Sequence, residues 1–294
     1  MHRNRNGVAW FAWVFFIVMT FVFLYPMYMA VILSVSSEES IALNGFRLWP
    51  SRFSLEAYRI LFERNSATLL QSLTLTVSTG LVQPALTLLL TMAMAYPLSQ
   101  PDFRGRDFWR VYVLITMLFS GGTVADYVLK AKYLGLRNNV LIYLLPGLSA
   151  WSVFLFRTFF VSLDKAMIES AKIDGAGNFQ ILFLIMLPLT LPLVMMNYFS
   201  GFIGRWNDIT TSMYFISDKK LYTIQYLLQQ MLANSEKAKE LMKLGLGMEL
   251  ETEHIPIEST RYALAVIGAL PVFVLFPFIQ KYYAKGITVG STKG

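Results

Sequence analysis

Six long apolar runs, at about residues 8–35, 67–98, 109–128, 139–157, 180–204 and 262–281, restrict this 294-residue chain to very few folds. Each run is close to, or longer than, the roughly 20 residues a helix needs to cross a hydrocarbon core, and all are too long for the strands of a membrane barrel. Backbone groups inside lipid have no water to bond, and a helix satisfies them within one segment. The expected fold is therefore all-α and integral to the membrane, with six transmembrane helices. Composition agrees, since 55 % of residues are hydrophobic and only 15 % are charged. Arg3 and Arg5 ahead of the first run, with Ser34-Val35-Ser36 behind it, imitate a signal peptide. The run is longer than a signal-peptide core, which favours a retained helix.

Six spans place both termini on one side. With the termini inside, the inner segments hold 11 Lys/Arg in 57 residues and the outer loops hold 14 in 107. The higher basic density inside, together with the small weight that long loops carry, favours cytoplasmic termini. The net charge of +7 is spread over these membrane-flanking segments rather than gathered in a patch, so no nucleic-acid partner is expected. Absence of cysteine excludes disulfides, thiolate metal sites and a cysteine nucleophile.

An enzyme needs convergent titratable groups, and the chain offers only His2 and His254 as histidines. His254 lies beside Glu251 and Glu253 without a metal-ligand spacing, and a solvated acidic loop is the better reading. No catalytic residue, metal site or bound cofactor is expected. The central parts of the runs carry no Asp, Glu, Lys or Arg, which speaks against the ion relays of coupled pumps. An ion-coupled secondary sugar transporter stays the alternative, because unwound backbone can also bind ions.

Uncharged polarity is present instead. In the second run Thr76, Thr79, Gly80, Gln83, Thr87 and Thr91 recur at intervals of three or four and share one helix face. In the fifth, Asn197, Ser200, Gly201 and Gly204 share a face beside Tyr198 and below Trp206-Asn207-Asp208. The expected solute path is built from Thr76, Thr79, Gln83, Thr87, Asn197, Tyr198, Trp206 and Asn207. The competing account is hydroxyls bonding back to their own helix and glycines that let helices pack closely.

Between the fourth and fifth runs the chain reads Ser162-Leu163-Asp164-Lys165-Ala166-Met167-Ile168-Glu169-Ser170-Ala171-Lys172-Ile173-Asp174-Gly175-Ala176-Gly177, followed by Ile185-Met186-Leu187-Pro188. Ser162 or Asp164 can cap a short helix that Ala166 to Ile173 propagate and Gly175 or Gly177 ends. Pro188 and Pro192 allow or impose a bend early in the fifth span.

The order Glu169-Ser170-Ala171, three residues, Gly175, nine residues, Ile185, one residue, Leu187-Pro188 resembles the EAA loop of ABC importer permeases, with Ser170 where the family usually has alanine. Asp174-Gly175-Ala176 and the tail Lys285-Gly286-Ile287-Thr288 with Gly290 and Lys293-Gly294 are similar to the carbohydrate-uptake, maltose-type branch. Ser120-Gly121-Gly122, Leu134-Gly135-Leu136 with Asn138, and Trp206-Asn207 resemble the subgroup served by lipoprotein-type binding proteins in complex-polysaccharide uptake.

The resemblance covers about residues 67–294 and implies a type I ABC importer transmembrane domain. Residues 1–66 would form the first span and external loop, 67–284 the core, and 285–294 a cytoplasmic tail. Within the core, about 162–178 would be the coupling loop and about 205–261 an external loop, whose stretch 234–253 is either a small helical cap or a mobile loop. The resemblance further implies a second homologous permease, two ATP-binding subunits that hold ATP and Mg, an extracytoplasmic solute-binding protein and a carbohydrate substrate. That substrate is expected to be an oligosaccharide, and outer basic residues Lys130, Lys132, Arg137 and Arg205 would tolerate a uronate-containing one, though they serve equally as membrane anchors. Coupling to the ATPase would fall to Glu169, Ser170, Ala171, Asp174, Gly175, Ala176, Gly177 and Pro188. The location implied is a bacterial cytoplasmic membrane.

Overall fold

The computed structural model describes the backbone of residues 5–243 and 256–291, all of it helical or irregular apart from one isolated bridge between Ser36 and Phe53. The helices are α1 (Arg5–Ser34), α2 (Glu38–Asn44), α3 (Glu56–Ser99), α4 (Arg106–Leu118), α5 (Gly122–Tyr133), α6 (Ala150–Ser162), α7 (Lys165–Ile173), α8 (Asn178–Leu189), α9 (Leu191–Trp206), α10 (Thr210–Phe215), α11 (Ile224–Lys243) and α12 (Ile257–Ser291).

Among the described residues, Ala9–Ser34, Ser66–Ser99 and Ile257–Pro277 are each long and apolar enough to cross a membrane alone. Two further helix pairs pass that test only together. The pair α4 and α5 bends by 110°, and α8 and α9 bend by 85°. The first bend falls at Ser120-Gly121-Gly122, where Gly122 takes φ +79° and its N–H bonds the Ser120 hydroxyl at 3.3 Å. The second falls at Thr190, between Pro188 and Pro192, after a π-helical stretch Ile181–Met186; proline cannot donate the helix bond that would keep the axis straight.

The expected helix over about 139–157 is shorter than its apolar run. Only a 3-10 turn, Val140–Tyr143, precedes an irregular stretch, and α6 begins at Ala150 with 13 residues. Pro146 disfavours helical backbone at Leu145 and lacks an N–H, and Gly147 follows it, so the helix restarts late. At about 20 Å, α6 is shorter than a roughly 30 Å hydrocarbon core. By contrast α3 has 44 residues. Its polar start carries an Arg59–Glu63 pair at 2.8 Å ahead of the apolar stretch.

Contacts divide the chain into two compact units, one of residues up to Leu69 with Leu227–Pro271, the other of Leu70–Tyr226 with residues from Val272 onward. Within the first unit, one tie between distant segments is electrostatic. The Glu38 carboxylate accepts from the Glu258 and Ser259 backbone N–H groups at 2.9 and 3.0 Å, and so caps the positive end of α12. Tyr58 also donates to the Ser34 hydroxyl at 2.9 Å. Aromatic and aliphatic side chains along α1, such as Trp13, Phe21 and Phe23, are exposed, the arrangement of a helix solvated by lipid.

The second unit holds a buried cluster in which Met92, Ala95 and Tyr96 of α3 meet Val153, Phe156 and Phe160 of α6 and Ile181, Leu182 and Met186 of α8. Of the stretch 234–253, expected to be external, residues up to Lys243 continue α11. Residues 244–253, with His254, lie outside the described residues. The expected tail from Lys285 is not a separate segment as far as Ser291, because α12 continues through it.

Candidate functional site

The short helix α7 is closed at both ends by its own neighbours. Asp164 accepts from the Ala166 N–H at 3.0 Å and is the N-cap, whereas Ser162 belongs to the end of α6 and its hydroxyl bonds the Phe159 carbonyl. At the other end the Ala176 N–H reaches the Ala171 carbonyl at 2.9 Å while Gly175 stands at φ +82°. A Cβ on Gly175 would meet nothing within 4 Å, so the glycine answers to backbone conformation and not to crowding. Gly177 N–H then bonds Gln180 Oε1 at 2.8 Å and starts α8.

Ile168, Ala171 and Ala176 pack against the buried cluster that includes α8, which ties α7 to the core. Glu169, Ser170, Asp174, Gly175, Gly177 and Pro188 are exposed. Ile173, at 86 % exposed, and Met167, at 46 %, add apolar surface to the same short helix. Glu169 also borders a cavity of about 430 Å³ together with Arg106, Arg110 and Arg157. Arg110 Nη2 and Arg157 Nε both donate to the Leu98 carbonyl, at 3.2 and 3.1 Å, and place positive charge at the negative end of α3.

The two polar helix faces meet elsewhere in this unit, around a cavity of about 340 Å³ bordered by Gln83, Thr87, Gly147, Asn197, Ser200, Gly204, Arg205 and Asp208. Gln83 Nε2 donates to Thr87 Oγ1 at 3.1 Å and to the Leu145 carbonyl at 3.3 Å. Gly147 N–H donates to Thr87 Oγ1 at 3.2 Å, so the irregular stretch before α6 is held to the wall by α3. Gly201 provides close approach, because a Cβ there would lie 2.9 Å from Pro84 Cβ; Gly204 faces open space.

Of the residues the sequence proposed for a solute path, Gln83, Thr87 and Asn197 border this cavity. The others are placed differently. Thr76 and Thr79 are buried and bond back to the Ser72 and Leu75 carbonyls at 2.7 Å, and Thr76 Oγ1 also accepts the Ile224 N–H at 2.8 Å. Tyr198 donates its hydroxyl to the Leu81 carbonyl at 3.0 Å. Trp206 is buried and stacked on Phe202, and Asn207 turns back to the Ile203 carbonyl at 3.0 Å.

Arg205, read from sequence as an outer basic residue, is only 8 % exposed and belongs to the wall. Its Nη1 pairs with Asp208 Oδ2, and its guanidinium carbon sits 4.6 Å from the centre of the Tyr143 ring. Tyr143 is fixed in turn by Ser212 and by the Leu221 carbonyl, both at 2.7 Å. Asp208 also caps α10, accepting from the Thr211 N–H at 2.9 Å and its hydroxyl at 2.6 Å. The sequence hint was a charged pair at i and i+3 where the fifth run ends; its burial was not readable there.

Residues 5–289 match the model of a family described as the binding-protein-dependent transport system inner membrane component. The chain belongs to this family. The permease is 31 % identical over 282 residues to the polygalacturonan/rhamnogalacturonan transport system permease protein YtcP of Bacillus subtilis, covering 95 % of this chain and 96 % of that one. It is also 31 % identical over 262 residues to protein LplC of the same organism, covering 89 % and 86 %. In fold it resembles a chain from a bacterial ABC transporter involved in the import of the acidic polysaccharide alginate, with TM-score 0.81, 24 % identity and coverage of 96 % and 99 %.

The fold is therefore that of a type I ABC importer permease. Membership places the permease in an inner membrane and implies ATP-binding and substrate-binding partner subunits. An ion-coupled carrier finds no support in these relationships.

Proposed function

We propose that the permease imports an oligosaccharide, including one that carries uronate units, by coupling ATP-driven closure of partner subunits to alternating access. Its assembly contains a second homologous permease, two ATP-binding subunits and an extracytoplasmic binding protein; ATP and Mg belong to the ATP-binding pair. Supporting the sugar are the acidic polysaccharides named for YtcP and for the alginate importer. A further support is a cavity within the roughly 300–1,000 Å³ range of small-molecule sites, walled by amide, hydroxyl and charged groups.

The observation that carries the coupling is α7 itself, a capped, exposed helix fixed through Ile168 and Ala171 to the cluster that includes α8. In this reading its exposed face, with Glu169 against a basic residue of the ATP-binding subunit, docks in that subunit. Gly175 and Gly177 let the chain turn sharply into α8, and Pro188 marks where the lever bends. Closure then biases one of two states, inward-open or outward-open, through a single rigid connection. Each bent pair is one span, α6 completes six, both termini are cytoplasmic, and the loop 205–261 faces the binding protein.

The test is to purify the tagged chain gently from its native membrane and identify its companions by mass spectrometry, then to measure uptake by vesicles of the reassembled complex. An ATP-binding subunit, a second permease and a binding protein should travel with it, and uptake should need ATP inside. A chain that came alone and transported in ATP-free vesicles would overturn the proposal.

A further inference from the structure

Arg205 carries an unused half. Its Nη1 is committed to Asp208, but Nε and Nη2 are buried and meet no hydrogen-bond acceptor among the described residues. Those two nitrogens form one edge of the planar guanidinium, with parallel N–H vectors that fit the two oxygens of a carboxylate. A cation that is nine-tenths buried normally has its donors satisfied, since an orphaned buried donor is costly. The stack on Tyr143 favours arginine over lysine, but neither that stack nor the Asp208 pair uses the Nε and Nη2 donors.

The position is also constrained from both sides. Asp208 is held by Thr211, and the Tyr143 ring under the guanidinium is held by Ser212 and Leu221. The side chain thus has little freedom to find another partner, and it borders the cavity with Asn197, Ser200 and Gln83.

We infer that Arg205 is the specificity-determining residue of the cavity, taking the carboxylate of a sugar acid on its Nε/Nη2 edge while Asp208 and Tyr143 keep the guanidinium in place. The inference rests on the proposed carbohydrate function and adds which residue reads the acid. A neutral sugar of the same length would leave that edge unpaired, and a site built for a charged or polar group rejects ligands that lack it.

The chain's lack of cysteine supplies the assay. Gly204 borders the cavity, and a Cβ there meets nothing within 4 Å. Gly204→Cys in the full complex should be modified by a maleimide. A galacturonate trisaccharide should slow that modification at concentrations at least about tenfold below those needed by its carboxyl-reduced, uncharged counterpart, as expected for a charge-assisted bidentate contact. Adding Arg205→Met should erase the difference. Arg205→Lys, which keeps the charge and the Asp208 pair, should recover only part of it. Equal protection by both sugars with Arg205 intact, or discrimination that survives Arg205→Met, would overturn the inference. Uptake of the acid trisaccharide by ATP-loaded vesicles, followed in parallel, keeps the two readings apart. Transport without protection sinks the role of Arg205 alone, and absence of transport removes the uronate substrate on which both readings of the cavity rest.

Discussion

The short helix α7 and the cavity between α3 and α9 are built from similar polar residues but closed over very different chain distances. In α7, Asp164 bonds two residues ahead and Ala176 five residues back, and Glu169 and Ser170 are exposed. In the cavity, Gln83 reaches Leu145 and Thr87 receives Gly147, partners 62 and 60 residues away. Water can satisfy whatever the helix leaves open. In the cavity wall each polar group must find a protein partner or a solute, so position in the fold decides its role. Local closure yields a module that docks elsewhere; distant closure yields a site.

The largest effect should come from the docking module. Glu169→Lys is expected to lower ATP-dependent uptake by at least about 100-fold, the scale of breaking a buried interfacial pair. Binding of the trisaccharide in the cavity should persist, as read by protection of Gly204→Cys. Loss of both together would show that the two regions are not separable.

Next in size is packing beneath the cavity. Gly201→Val places a side chain where even a Cβ lies 2.9 Å from Pro84. The thermal midpoint of the purified complex should fall by an amount matching about 1–3 kcal/mol of overpacking. Gly204→Ala, with open space around it, should leave that midpoint unchanged.

The ends of α7 come third. Asp164→Ala removes a cap worth about 1 kcal/mol, and Gly175→Ala imposes a similar cost of roughly 1–2 kcal/mol at positive φ. Either should reduce binding-protein-stimulated ATPase by a few-fold while leaving trisaccharide protection of Gly204→Cys intact.

The smallest effect distinguishes hydroxyls within one helix. Among the described residues Thr91 Oγ1 bonds only its own helix, to the Thr87 carbonyl at 2.7 Å, and Thr91→Val should change stability by less than about 0.5 kcal/mol. Thr76→Val takes the acceptor from the Ile224 N–H and should cost about 1–3 kcal/mol. Equal midpoints for the two variants would refute the distinction.

Much of this was legible in the chain. Apolar run length gave an all-α membrane protein because lipid leaves the backbone no other partner. The helix from Lys165 to Ile173 followed from local rules, since every group involved lies within a few residues; those rules offered Ser162 or Asp164 as its cap and Gly175 or Gly177 as its stop, and the fold uses Asp164 and Gly175. The bend near Pro188 and Pro192 was legible for the same reason. The break before α6 was not, because apolar residues run on through 140–145 and hydropathy does not register what Pro146-Gly147 does to the backbone.

Tertiary structure alone decided which polar groups form the cavity. Thr76, Thr79, Gln83 and Thr87 share one sequence period, yet only the last two border it, because α9 crosses closely at Gly201 and Pro84 while the Ile224 N–H takes up Thr76. Asn138 is similar. Its φ of +53° is tolerable for asparagine, but its purpose appears only when its side chain accepts the Asp218 N–H at 3.2 Å, 80 residues on. Arg205 is the sharpest case. Sequence gives a basic residue at a helix end, where a charge ordinarily meets water; only the approach of Tyr143 and Asp208 removes that water and leaves two N–H groups without an acceptor. Periodicity fixes which side of a helix a residue occupies, and what stands opposite that side depends on contacts between segments far apart in the chain.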